Sequence, residues 1–489
     1  MTIRLVVDGR GAARRRIVER LAERSGGRVQ IACHLGEPDA DLIGPALNRM
    51  RAGGGRQADP MTGLQSRGAA LPLLTSSDYQ AKLQTAIDQL HRSDPTYRYR
   101  SHNLRNLQDY LDYYHILAET FAQKVGDTGA THALFMNVPH VGYDTIMYHV
   151  ARALGLKTLV LCQTIFSDRY FSMEAIEHLG LFDAHGSDAP PMAIEKGTSP
   201  DLFYMDPRWQ TPSPRGRIST AAILRFLKHV AFRRPGSLVN PVYLTRTLHR
   251  IANVYRSLPD WRDPFARFFH DNELAYFEHL AGYEGKSVDL DAEFVYIPLH
   301  NQPELSTSAL GGVWRDQLLM IEAVAAQLPD GWKIYVKENP RQGAFARGPF
   351  FFHRLGRIRG VTLVPSTTST HALSTRARLT ATITGTAGWE AMRKGRPALV
   401  FGAAWYRSLP GAIIWRPGLD LEALSRLTFA HEALEADAGA LMARCHPGVL
   451  EFVYQKIVRD YDAPANTETV SATILDLLEG RLPLTFSTT

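Results

Sequence analysis

Only three cysteines occur in 489 residues, and Cys33, Cys162 and Cys445 stand far apart without CxxC spacing. Neither a disulfide framework nor a zinc site is expected from them, and buried reduced thiols are the natural reading. Long hydrophobic runs are also missing, since no uninterrupted apolar stretch approaches the roughly 20 residues that span a bilayer. The opening MTIRLVVDGRG has no signal-peptide core, because Asp8 and the basic stretch behind it cut the apolar run short. These absences predict a cytoplasmic protein. What remains, 45% hydrophobic and 21% charged residues, is the composition of an ordinary water-soluble chain long enough for two cores.

Acidic residues are absent from Pro207 to Pro259, where ten arginines and lysines, Arg225, Lys228 and Arg233 among them, alternate with apolar residues such as Ile223, Phe226 and Val230. Two readings stay open for this stretch: an amphipathic element lying on an anionic membrane surface, or a solvated helix between domains. Nucleic acid is not an expected partner, because the net charge is only +6 and no recognition motif accompanies the basic stripe.

Elsewhere, β-branched and aromatic runs alternate with helical periodicity, the pattern of an α/β fold. In the first half, strands are predicted at Ile3 to Val7, Val29 to Cys33, Ala133 to Met136 and Thr158 to Cys162. Gly9 and Gly11 follow the first strand, but the rest of a GxGxxG fingerprint is absent. Gly44 to Ala70 reads as a loop. Asp78 to Lys124 reads as helical, with Tyr110, Tyr113 and Tyr114 as packing residues in preference to a sugar platform. Asn137, Pro139, His140 and Asp144 lie on the connection between the third strand and a helix from Tyr143 to Leu154. Asp144 either caps that helix or serves a ligand, and the same choice holds for His140, which makes either a structural hydrogen bond or a ligand contact.

The second half concentrates polar residues where strands should end. Runs at Phe294 to Ile297, Trp332 to Val336 and Leu379 to Thr384 each break into polar sequence, and ligands collect beyond the carboxyl ends of an open α/β sheet. His300, Gln302, Glu304, Lys337, Glu338, Thr384, Gly385 and Thr386 are thereby drawn toward one ligand. Thr384 to Gly388 is a small-residue turn before a helix expected from Trp389, with backbone N–H groups for a phosphate and Glu390 in the first helical turn. Ser369 and Thr370, in PSTTST after a strand at Val361 to Val364, either add phosphate hydrogen bonds or cap the next helix. Lys337 and Glu338 either serve the ligand or form a surface ion pair worth little.

HNQPELST, YVKENP and TGTAGWEA, followed by GRPALVFGAAWY, resemble the bacterial capsular and surface polysaccharide biosynthesis proteins, a group that includes the β-Kdo transferases of capsule assembly. FMNVPHVGYDTIMYHVARALGLKT is similar to a segment of the same family's N-terminal domain, so the likeness reaches both halves. The resemblance implies a GT-B fold, two Rossmann-like domains facing a central cleft, with helical insertions and C-terminal helices. The domains expected are 1–206 on the acceptor side, 207–288 as a basic helical insertion, 289–420 for the nucleotide sugar, and 421–489 as helices packing back. One departure stands out: the family pattern Lys-Glu-His-Pro has Asn339 at its third position here, a neutral amide in place of an imidazole.

The activity implied is transfer of a sugar, Kdo from CMP-Kdo in the first instance, to a glycan or lipid-linked glycan. A transferase or epimerase using another nucleotide sugar is the alternative, as is a catalytically silent assembly protein, for which Asn339 is the motivating residue. Lys337 and the turn N–H groups would neutralise the leaving phosphate, with Arg315 and Arg341 the nearest arginines, while Glu390 and Glu338 hold ribose or base edges. Asp144 is favoured over Glu304 as the catalytic carboxylate, with His140 beside it. Neither a cofactor nor a metal is expected: Asp289-Leu290-Asp291 has DxD spacing but precedes a strand instead of ending one, and reads as linker. The C-terminal helices are expected at Leu421 to Leu427, Val449 to Tyr461 and Thr467 to Leu478, with frayed final residues.

Overall fold

The computed structural model describes residues 2–9, 11–36, 42–43, 65–90, 107–166, 168–196, six positions between 240 and 249, 288–339, 342, 347, 349–365 and 368–488. Most of the Gly44 to Ala70 loop, nearly all of the basic stretch 207–259, the boundary near Gly285 and Arg341 lie outside the described residues.

Apolar runs that are hydrophobic on every residue must be covered on both faces, and this is how the first sheet is built. β1 (Ile3–Asp8), β2 (Val29–Gly36), β3 (Leu42–Ile43), β4 (His132–Phe135) and β5 (Lys157–Gln163) pair in parallel, and β6 (Arg169–Met173) runs antiparallel to β5. One face is covered by α1 (Ala12–Arg24), whose Ile17, Val18 and Leu21 are buried beside residues of the chain's last long helix. The other face is covered by α2 (Tyr79–Leu90), α3 (Leu107–Thr128) and α4 (Tyr143–Ala153). Tyr113 and Tyr114 are fully buried in that layer, as packing residues.

The second sheet is parallel throughout, in the order β12-β11-β10-β7-β8-β9. Its strands are β7 (Phe294–Pro298), β8 (Lys333–Lys337), β9 (Val361–Val364), β10 (Leu379–Thr382), β11 (Ala398–Val400) and β12 (Ala412–Ile414). Helices α5 (Gln317–Ala325), α6 (Thr370–Arg376) and α7 (Thr386–Arg393) connect them. Two parallel-rich sheets, each wrapped by helices, make the two Rossmann-like halves of a GT-B architecture. No helix among the described residues is long and apolar enough to cross a membrane.

The C-terminal region departs from expectation in four places. Val449 to Tyr461 is a chain of turns with one 3-10 turn at Tyr454–Lys456, because Leu450 and Glu451 donate their N–H groups to Gln163 Oε1 instead of to a helix. A helix that the sequence reading did not anticipate, α8 (His431–Arg444), precedes it, and α9 (Ala463–Leu478) starts four residues earlier than expected behind the cap Asp462. The chain end is not frayed. Phe486 is fully buried 4.7 Å from the Phe171 ring, its N–H bonds to Ser172 O at 3.1 Å, and Thr485 N–H bonds to Ser172 Oγ at 3.0 Å. β13 (His446–Pro447) extends the first sheet beside β6, with His446 Nε2 2.7 Å from the same Ser172 hydroxyl.

Burial pushes His446 down to about 4 and His149 down to about 3, against roughly 6.5 in the unfolded chain. Both imidazoles are neutral when folded and take up a proton on unfolding below about pH 6.5, so their stabilising contribution is complete above that pH and is lost as pH falls through the folded value. Thermal unfolding should therefore be nearly flat between pH 8 and 7 and drop between pH 6.5 and 5, with a shallower drop in His446→Gln. An unchanged slope in that variant would exclude His446 as a source.

Candidate functional site

The polar residues at the strand ends of the second sheet meet around one turn. β10 stops at Thr382, and Gly385, in extended conformation, precedes α7, which begins at Thr386 and not at Trp389 as expected. Glu390 accordingly lies in the second turn of the helix. The turn is held from three sides. Gly385 N–H bonds to Thr382 Oγ1 at 3.1 Å, Tyr406 donates its hydroxyl to Gly385 O at 2.5 Å, and Thr384 Oγ1 donates to Ser306 O at 2.7 Å. Gly385 must be glycine, since a Cβ there would stand 2.5 Å from His300 Cε1. The N–H groups of Thr386 and Ala387, in the first turn, point out of the helix end where it is half-exposed.

His300 lies under this turn. It is buried, its Nε2 stands 2.8 Å from Thr382 Oγ1, and burial together with the Arg347 charge pushes its imidazole down to about 4, so the ring is neutral. Its backbone is clamped by Gln317, which accepts the His300 N–H at 2.8 Å and donates to His300 O at 3.0 Å. Gln317 also donates to Gln302 Oε1 at 3.1 Å, and Gln342 accepts the Gln302 N–H at 2.8 Å. His300 and Gln302 thus support the loop, with their polar atoms turned to protein.

Lys337 ends β8 and donates to Thr368 O at 2.7 Å and Thr370 Oγ1 at 2.8 Å, which leaves one ammonium proton. Burial lowers its pKa. Glu338 is no surface partner of Lys337: it is buried, ion-paired with the fully buried Arg347, and accepts the Asn339 N–H at 2.7 Å. Arg347 in turn donates to His300 O and thereby ties β8 to β7. Ser369 caps α6 by accepting the Ala372 N–H at 3.2 Å. Glu390 is buried, and that burial raises its pKa, with Lys394 and Arg393 opposing. Asp289 and Asp291 sit on an exposed turn, each facing a cation, Lys333 and Arg376.

The three catalytic candidates are placed differently. Glu304 caps the short helical turn Leu305–Ala309, its side chain accepting from Thr307, so it binds its own loop. Asp144 is buried and accepts N–H groups from His140 at 3.1 Å, Val141 at 2.9 Å and Thr145 at 2.7 Å. It organises the turn that carries His140, while the helix cap position belongs to Gly142. His140 is half-buried, with Nδ1 2.7 Å from Val138 O, so that Nδ1 carries the proton and Nε2 is the open acceptor. Helix α2 joins the two halves here. Gln89 Oε1 accepts the Gly142 N–H at 2.9 Å and the Thr145 hydroxyl at 2.5 Å, and the neighbouring Asp88 accepts from Ser308 in the Glu304 loop. Arg315 reaches the same helix through Gln84 at 2.8 Å.

Arg347, Gln317, Thr382 and Gln89 lie outside the quoted motifs, and each acts through contact with another segment, whereas Tyr406 ends the motif GRPALVFGAAWY without its role being foreseen. A hydroxyl closing a strand, as in Thr382, was the one local signal available.

Strand-end loops converge on a helix-opening turn in the second half of this GT-B architecture. Residues 305–412 match the family described as capsule polysaccharide biosynthesis protein, which bears out the resemblance drawn from the motifs in this stretch. No curated protein sequence matches the chain. Solved structures similar to it include the Thermosulfurimonas dismutans KpsC beta Kdo 2,7 transferase, at 12% identity over 82% of this chain and 98% of that one with TM-score 0.29. The Methanocaldococcus jannaschii UDP-GlcNAc 2-epimerase is 9% identical over 90% of this chain and 99% of that one, TM-score 0.24. The E. coli trehalose-6-phosphate protein bound with UDP-2-fluoro glucose is 12% identical over 96% and 99%, TM-score 0.25.

Two substitutions test this construction. Arg347→Met leaves the Glu338 carboxylate buried without its cation and should cost about 3–5 kcal/mol in urea unfolding, whereas adding Glu338→Gln should recover much of the loss. Gly388→Ala drives a methyl into the Tyr406 hydroxyl and should cost about 1–3 kcal/mol. Wild-type stability in either single variant would refute the packing described.

Proposed function

We propose that the protein transfers a sugar from a nucleotide donor to a glycan or lipid-linked glycan of a surface polysaccharide, with Kdo from CMP-Kdo the first donor to test. The observation that carries this reading is the turn Thr384–Gly388. Glycines bring backbone close, the helix end offers the N–H groups of Thr386 and Ala387 and its positive dipole, and Lys337 stands at the neighbouring strand end, all within the segment that matches the capsule family.

In this reading the leaving phosphate lies against Thr386, Ala387 and the free proton of Lys337, and Ser369 and Thr370 border it. Glu390 accepts from the ribose hydroxyls, and Glu338 and Asn339 line the strand end beside it. His140 Nε2 takes the proton of the acceptor hydroxyl as that oxygen bonds to the anomeric carbon and the carbon–phosphate oxygen bond breaks, the electron pair leaving with the nucleotide. Asp144 acts by positioning His140, and Glu304 by shaping the donor loop. No cofactor is assigned. The stretch 207–259 is assigned to an anionic membrane surface, where a lipid-linked acceptor would be met.

A thermal-shift and calorimetric panel of CMP, UDP, GDP and dTDP tests this. CMP should stabilise the protein, by about 2.7 kcal/mol at a concentration 100 times Kd, and Glu390→Ala should abolish the effect. Preference for a diphosphate nucleotide would keep the transferase and remove Kdo. Failure of all four would favour the silent assembly protein that Asn339 suggests, with Asn339→His as the restoring change. With a donor in hand, His140→Gln should lower kcat by roughly 10²–10⁴ while nucleotide affinity is kept; unaltered turnover would remove His140 as the base.

A further inference from the structure

A groove of about 670 Å³ opens between α6, the carboxyl end of α7 and the first turn of α8. Lys196, Arg393 and Lys394 line it with His371 and His431, and among the described residues Glu432 is the one carboxylate on its wall. The volume is in the range that holds a small-molecule ligand and far exceeds that of a single ion. The eight residues of α7 span about 12 Å at 1.5 Å per residue, so the groove lies at the opposite end of that helix from the turn assigned to the donor phosphate.

Two of the cations, Lys394 and Lys196, keep capacity for a further acceptor, although Glu390 acts on Lys394 from behind the groove. Lys394 donates to Ser374 Oγ at 2.7 Å, which leaves two of its three protons for another acceptor. Its pKa is lowered by burial, the mark of an ammonium short of solvation. Arg393 is 8% exposed and reaches Glu195 O at 3.4 Å. Lys196 stands 3.9 Å from Glu432 with both side chains largely in solvent, a pairing that yields readily to a better partner. The frame, by contrast, is firm: His431 Nε2 lies 2.7 Å from Ile194 O, and Glu435 accepts the Ile194 N–H at 2.9 Å, so the irregular segment bearing Lys196 is fastened to α8. Lys196 and the adjacent pair Arg393 and Lys394 come from two separate segments, an arrangement suited to several anionic groups spaced along one ligand.

We propose that this groove binds a ligand carrying several carboxylate or phosphate groups, at a site separate from the turn at Gly385. Two sources share that chemistry, an acidic oligosaccharide and a phosphate-bearing small molecule. Isothermal titration of the full-length protein with trigalacturonate and with pyrophosphate distinguishes them, with CMP as the control for the donor turn. Trigalacturonate is expected to bind, more weakly at raised salt, and to lose about tenfold in affinity in Lys196→Glu and in Lys394→Gln, while CMP binding is kept. Lys196 is exposed on the rim, so its variant folds irrespective of Lys394. Binding of pyrophosphate alone, lost in the same variants, would assign the groove to phosphate and rule out the acidic glycan. Binding of neither probe, or binding indifferent to both substitutions, overturns the proposal. Loss of CMP binding with trigalacturonate retained would count against the donor reading and leave the groove standing.

Discussion

The packing of Trp405 at the junction of the two sheets is the contact on which the rest of the structure depends. Its ring lies 5.7 Å from Phe166 and 6.3 Å from Phe171 of the first half, and 5.0 Å from Trp389 and 5.3 Å from Tyr406 of the second. One apolar core therefore runs from β6 and the chain end through to α7. Aromatic pairs of this kind add to the burial of large apolar surfaces, and here they also set position. Tyr406, next in the chain, places its hydroxyl on Gly385, so the seam between the halves and the shape of the turn at Gly385 are the same construction.

The chemistry of the candidate site follows from how its polar groups are divided between holding and binding. His300, Gln302, Glu304, Glu338 and Asp144 are engaged by neighbouring side chains, by backbone N–H groups or by a buried ion pair, which fixes loops that have no regular structure of their own. Buried charge of this sort adds little net stability but penalises alternative arrangements, because any rearrangement strands Glu338 or Arg347 without a partner. Among the described residues, Lys337, Thr386, Ala387 and His140 keep hydrogen-bonding capacity toward the open side. A rigid outer layer and a sparse inner one is the arrangement that preorganised electrostatic stabilisation needs.

Helix α2 gives this division a mechanical consequence. Consecutive residues of one helix hold the His140 turn, through Gln89, and the Glu304 loop, through Asp88. Side chains adjacent in sequence project in different directions around a helix, so a single rigid element can touch both walls at once. Any movement of one half against the other must displace or deform α2.

Strand ends, turn residues and helical periods were legible in the sequence because each is a local pattern: β7, β8, β9 and β10 fall where runs such as FVYI and VTLV give way to polar residues, and the small-residue turn at Gly385 announces itself. Boundaries were legible only approximately, as the three-residue error at the start of α7 illustrates, since nothing local distinguishes Thr386 as a helical residue from Thr386 in a turn. The edge strand β13, the burial of Phe486, and the helix α8 escaped because their stability comes from partners hundreds of residues away. By itself the sequence determined the α/β alternation, the location of a small-residue turn at the strand ends of the second half, and the family resemblance. Only the tertiary structure decided which polar residues bind inward and which face out, because desolvation and pairing are properties of the surroundings: the same Glu338 is a surface acid beside Lys337 in the chain and a buried ion in the fold.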